Sequence, residues 1–182
     1  LIIPFVGKTI QLNSVLYVVL LFFIVLGTVN GANFTDGLDG LASSVTVLIA
    51  TFFAVVAVGT GSGVAPVACA VVGSLLGFLV YNVYPAKVFM GDTGSLALGG
   101  FVASAAYMLK MPIFIVIIAF IYFLEVLSVI IQVVSFKLTG KRVFRMAPIH
   151  HHFELGGWPE SKVVAIFSIV TAVLCVVGLL AL

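Results

Sequence analysis

Asn33, Asp36 and Asp39 recur at every third position of the run Asn33-Phe34-Thr35-Asp36-Gly37-Leu38-Asp39-Gly40, between two stretches apolar enough to enter a bilayer. In a helical or near-helical turn that spacing sets one amide and two carboxylates along one side, where they can converge on a single polar ligand. An aspartate at the centre of a membrane helix costs roughly 2.5 to 3.5 kcal/mol on insertion scales, so the run belongs at the water interface. Gly37 and Gly40 let the backbone bend there. The plainer reading leaves Asp39 as the N-cap of the next helix and Asp36 as a solvated loop acid.

Two further constellations have the same character. In residues 81–95, Asn82, Lys87, Phe89 and Asp92 surround a turn whose acid is flanked by Gly91 and Gly94. Free backbone N–H groups, a lysine, an aromatic ring and a hard oxygen ligand suit magnesium with a nucleotide diphosphate. N-capping by Asp92 and interfacial anchoring by Phe89 are the plainer alternatives. In residues 146–154 the run His150-His151-His152 follows a basic stretch that contains Lys137, Lys141, Arg142 and Arg145. Side chains of consecutive residues point in different directions, so hydrogen bonding or phosphate contact is expected of the histidines rather than a zinc site. Lys141 and Arg142 are also explained by membrane orientation or by contact with anionic lipid.

The elements that position these groups are membrane helices. Of the 182 residues 63% are hydrophobic and only 8% charged, with mean hydropathy +1.38, whereas a soluble domain carries about 25% charged residues. The chain therefore reads as an all-α integral membrane protein forming a single transmembrane domain, residues 1–182. A span needs about 20 apolar residues, which predicts about six: 12–29, 41–58, 64–83, 95–109, 112–136 and 163–182. The fourth is short and rich in Gly and Ala. Six spans put the polar segments 32–40, 84–94 and 138–162 on one side, with Lys87, Lys137, Lys141, Arg142, Arg145 and Lys162, against Lys8 and Lys110 on the other. The positive-inside rule makes the polar side cytoplasmic.

Glu125 is the one acid within a span, and Gln132 lies about two turns further along the same helix face. Interhelical hydrogen bonding explains both, Glu125 more readily than Gln132. Gly73 and Gly77 form a small-xxx-small step that predicts close helix packing. Cys69 and Cys175 fall in apolar runs, which argues against a structural disulfide or zinc site. The net charge of +2 rests on few residues and points to no nucleic-acid partner. The chain opens on Leu1 without a cleavable signal pattern and reads as part of a longer protein. Together the three loops suggest an enzyme that joins a polar, anionic substrate to a lipid.

Residues 33–40, 82–95 and 147–154 closely resemble the phospho-N-acetylmuramoyl-pentapeptide transferase family. The run Ala147-Pro148-Ile149-His150-His151-His152-Phe153-Glu154 separates that family from relatives sharing the aspartate loops. The resemblance implies a ten-helix fold, often homodimeric, in the bacterial plasma membrane, with its site in a cleft facing the cytoplasm. It implies attack of undecaprenyl phosphate on the sugar-linked phosphate of UDP-MurNAc-pentapeptide, giving lipid I and UMP with magnesium. Asp92 would then be the magnesium ligand, with Asn33, Asp39 and His151 in the catalytic group and Asp36 beside nucleotide, sugar and metal. Phe89 and Leu38 would form part of a uracil pocket with Asn82 nearby. His150 and His152 would support His151, and Gln132 would line the cleft toward the sugar-peptide. The family also uses an adjacent aspartate pair and a lysine, and no Asp-Asp pair occurs here, so the chain alone is expected to be silent. The alternatives are a sister enzyme transferring HexNAc-1-phosphate to a polyprenyl phosphate, and a transporter or non-catalytic membrane scaffold.

Overall fold

The computed structural model describes residues 1–7 and 9–182, so Lys8 lies outside the described residues. Apart from a single Ile2–Thr9 bridge, the regular structure among them is helical. Helices α1 (Ser14–Thr35), α2 (Leu41–Gly59) and α3 (Ala65–Asn82) come first, followed by α4 (Gly91–Met108), a 3-10 turn (Pro112–Phe114) and the short α5 (Ile115–Ile118). α6 (Phe120–Thr139), the six-residue α7 (Ile149–Glu154) and α8 (Glu160–Leu180) complete the chain. Asn13 caps α1 by accepting the Val15 N–H at 2.9 Å, and Gly140, at φ 69°, ends α6 in the left-handed conformation that glycine adopts without strain.

α1, α2, α3, α6 and α8 are long and apolar enough to cross a bilayer. The expected fourth span appears as α4, whose Gly, Ser and Asp92 dilute its apolarity. The bundle is built around α2, which buries Leu41, Val45, Ile49, Phe52 and Phe53 against its neighbours α3 and α8, while α1 packs on α4 and α6. Outward faces are apolar as well: Phe22, Phe23, Val80 and Leu180 are all exposed, as lipid contact requires. The expected span 112–136 is not one continuous helix, because the backbone breaks at Ala119. That break lets α5 bury Ile115 and Ile118 against α8 while α6 packs on α1.

Among the described residues nothing packs closely at Gly73 and Gly77, since a Cβ added at either would meet nothing within 4 Å. Close approach falls instead at Gly31, where a Cβ would lie 2.7 Å from Tyr122 Cβ, and at Gly99, where it would lie 2.6 Å from Val29 Cα.

The two ends of the bundle differ in kind. At one, the Ile2 N–H donates to Lys110 O at 3.0 Å and the Phe5 N–H to Ala181 O at 2.9 Å, which gathers residues 1–7, the 109–111 turn and the end of α8. At the other, the three polar segments meet. Overpacking at a backbone contact costs about 1–3 kcal/mol, so Gly99→Val should lower the melting temperature of the detergent-solubilised protein by several degrees. Gly77→Val should leave it nearly unchanged; equal melting of the two variants would show that α1 and α4 do not meet as described.

Candidate active site

The polar end is assembled from helix termini. α1 runs past its expected end to Thr35, which places Asn33 on its last turn, and Asp36 caps its C-terminus. The Asn33 amide donates to Asp92 Oδ1 at 3.1 Å and to Ser95 Oγ at 2.9 Å, joining the end of α1 to the start of α4. Burial raises the Asp36 carboxyl from the ordinary 3.8 to about 6, and the charge of Asp92 adds to the shift. Asn33, Asp36 and Asp92 therefore form one oxygen-rich group.

Asp39 faces elsewhere. Its Oδ2 accepts the Ala86 N–H at 2.8 Å, and its own N–H donates to Glu160 Oε1 at 2.5 Å. The carboxylate thus ties the 84–90 turn to the aspartate turn, and Glu160 ties the start of α8 to both. Asn82 is buried and occupied at both ends: its Oδ1 accepts from Ser43 Oγ at 2.9 Å and its Nδ2 donates to Val88 O at 2.9 Å. Leu38 is buried in the apolar core, whereas Phe89 is 71% exposed.

The histidine segment folds back along α6. Ser135 Oγ donates to Lys141 O at 3.0 Å; Gln132 Oε1 accepts from the N–H groups of Val143 and Phe144 at 3.0 and 2.9 Å, and its Nε2 donates to Phe144 O at 2.9 Å. Gln132 is therefore spent on loop backbone, although it also lines a cavity of about 400 Å³ beside Lys137 and Arg142. Deeper along the helix, Glu125 Oε2 accepts the Ile149 N–H at 2.8 Å and Oε1 meets His150 Nδ1 at 3.1 Å. His151 pairs with Glu154 at 2.7 Å, and His152 Nδ1 accepts the Arg145 N–H at 3.1 Å. The His150 ring lies against Gly37, where an added Cβ would stand 2.6 Å from Cε1, so the histidine helix abuts the aspartate turn.

Residues 1–110 match glycosyl transferase family 4. The chain belongs to that family. It is 58% identical over 183 residues to a phospho-N-acetylmuramoyl-pentapeptide-transferase of Clostridium novyi. It is 58% identical over 185 residues to one of Clostridium botulinum strain Eklund 17B, and 55% over 184 to one of Clostridium beijerinckii. Each alignment takes in 100% of this chain and 56% of the relative, so the chain spans about half the length of the curated relatives it matches. The glycosyl transferase family 4 match contains both aspartate-bearing turns and stops short of the histidine segment, which only the alignments to the relatives include.

The residues that sequence reasoning passed over are Ser95 and Glu160, together with Ser43 behind Asn82. Each is a polar side chain at a helix start, whose partner lies far away in the chain.

The raised Asp36 value carries a pH signature. In the unfolded chain Asp36 ionises near 3.8, in the folded protein near 6, so its charge penalises the fold above pH 6 and not below 3.8. Asp36→Asn should melt a few degrees higher than the parent at pH 8 in metal-free buffer, with the difference closing by pH 4. A variant that melts lower at pH 8 would show that the carboxylate stabilises the turn. Gln132→Leu should release the 141–145 segment and speed tryptic cleavage after Lys141, Arg142 and Arg145; unchanged cleavage would mean that the amide does not hold it.

Proposed function

We propose that the chain carries the aspartate and histidine loops of an enzyme that moves phospho-MurNAc-pentapeptide from UDP-MurNAc-pentapeptide to undecaprenyl phosphate, giving lipid I and UMP for peptidoglycan synthesis. One observation carries this reading: the His150 ring abuts Gly37 of the aspartate turn, in a chain aligned throughout, histidine segment included, with relatives named for the pentapeptide transfer. The relatives that align through the histidine segment are named for the pentapeptide transfer, which favours this substrate over a plain HexNAc-1-phosphate.

A divalent cation fits the donor set. Magnesium is usually held by one or two carboxylates with water and substrate phosphates rather than by an all-protein cage. Asp92, with Asp36 beside it, meets that description, and among the described residues no group of three or more His, Cys, Asp or Glu is placed to hold a metal. Bound there, magnesium would offset the charge of the diphosphate and of the departing UMP. Asn33 orients the Asp92 carboxylate by donating to its Oδ1. Asp39 fixes the 84–90 turn, and with it the exposed ring of Phe89, on which a uracil can stack. His151, half-exposed and braced by Glu154, is the histidine offered to a phosphate, with His150 and His152 supporting it. In the transfer, an oxygen of the lipid phosphate bonds to the sugar-linked phosphorus, and the bond from that phosphorus to the bridging oxygen breaks with the electrons leaving on UMP.

Lys87, Lys137, Lys141, Arg142, Arg145 and Lys162 all lie at the site end, with Lys110 at the other. That bias supports a cytoplasm-facing site in the bacterial plasma membrane. The homodimer and the single transmembrane domain are proposed on the resemblance. So is the silence of the chain alone, because these residues contain no Asp-Asp pair.

Assayed with both substrates and magnesium, the complete protein should form lipid I and release UMP, and residues 1–182 alone should not. Asp92→Asn in the complete protein should reduce turnover by at least about 100-fold, as removal of a charge-stabilising group does, with melting no lower than the parent's. Normal turnover in that variant removes Asp92 from the site, and preferential transfer from a simple UDP-HexNAc overturns the substrate assignment.

A further inference from the structure

Glu125 is an acid inside an apolar helix and is fully buried. An isolated carboxylate there would be prohibitively costly, and the cost falls only if hydrogen-bond donors surround it. The chain supplies two from one segment: the Ile149 N–H on Oε2 and His150 Nδ1 on Oε1. His150 is 1% exposed, and its second nitrogen, Nε2, has no hydrogen-bond partner among the described residues. That nitrogen lies against Gly37, between Asp36 and Leu38, where any side chain would displace the ring. The imidazole also touches the His151 ring, with centroids 4.1 Å apart and the rings tilted by 57°.

We propose that Glu125 is a positioning residue for the transfer reaction, holding His150 as the Nδ1–H tautomer with its Nε2 lone pair directed at the aspartate turn, and suspending α7 from α6 by the Ile149 N–H. An ionised carboxylate only accepts hydrogen bonds, so the proton of a neutral imidazole beside it stays on Nδ1 and Nε2 becomes an acceptor. This acceptor is held in the seam between the histidine helix and Gly37 of the aspartate turn. The same contact sets the height of His151, because the two histidines share a helix and their rings touch. Glu125 thus acts on substrate only through the histidines. The inference rests on the proposed transfer for its kinetic consequence and on geometry alone for the tautomer.

The complete transferase tests it through Glu125→Gln, His150→Ala and the double variant. Glutamine keeps the volume and still accepts from Ile149, but it offers an N–H to Nδ1 and so moves the imidazole proton to Nε2. Loss of an outer partner of this kind typically costs about 10- to 100-fold in activity, here expected in kcat with little change in KM for the nucleotide sugar. The double variant should be no worse than His150→Ala, because a residue acting through His150 has nothing left to act on. Nitrogen NMR of histidine-labelled protein should report the Nδ1–H form of His150 in the parent and the Nε2–H form in Glu125→Gln. Full kcat in Glu125→Gln, additive losses in the double variant, or an Nε2–H parent each overturn the proposal, the last without any variant. A folded parent that makes no lipid I refutes the proposed reaction instead, and the NMR measurement still decides the positioning.

Discussion

A bilayer gives no water to a buried backbone, so any segment that leaves a helix within it must find its hydrogen bonds in the protein. The polar side chains within α6 answer that constraint by bonding to the 141–150 segment, which folds back on them at the polar end. Ser135, Gln132 and Glu125 lie progressively deeper on one helix and take Lys141 O, the polar groups of Val143 and Phe144, and the Ile149 N–H in turn. From Gln132 to Glu125 is about 10 Å at 1.5 Å per residue. The histidine helix is thereby lowered beside the aspartate turn, and the fully buried Glu125 at the foot of the series makes the largest single demand on its surroundings.

The aspartate end follows the same economy. Asp39, Asn82 and Glu160 bond to main chain or to a neighbouring side chain and lock three helix termini together. Among the described residues the carboxylates form ion-pair contacts only with histidines. None of the lysines or arginines at that end is bridged to an acid. Arg145 donates to Leu155 O and Lys162 sits 4.3 Å over the Trp158 ring, and the positive field of the remaining cations is available to anionic ligands.

What the sequence discloses is residue type and period; what it conceals is which polar atoms are already spoken for. Apolar length located the spans, and the acids and histidines marked the loops, because each violates the hydrophobic background at a definite cost. Gly73 and Gly77 misled because small residues permit close approach without requiring it, and α1 reached α4 through Gly99 instead. The break at Ala119 has no glycine or proline to announce it. Leu38 carries no mark that distinguishes a core leucine from a ligand contact, and the structure buries it.

Capacity is the better guide to the site. Gln132 and Asn82 each have both the oxygen and the nitrogen of the amide engaged, Gln132 with loop backbone and Asn82 with Ser43 and Val88 O. A carboxylate has about four lone-pair sites, and among the described residues Asp92 receives one side-chain donor, from Asn33, which orients it. Asp36 is pushed toward protonation by burial and by Asp92, a strain that a bound cation would relieve. His150 Nε2 is buried and has no hydrogen-bond partner among the described residues. The groups with unspent capacity come from the end of α1, the start of α4 and the histidine helix. These three elements meet at the polar end of the bundle, where the bonded polar residues around them tie the helix termini together.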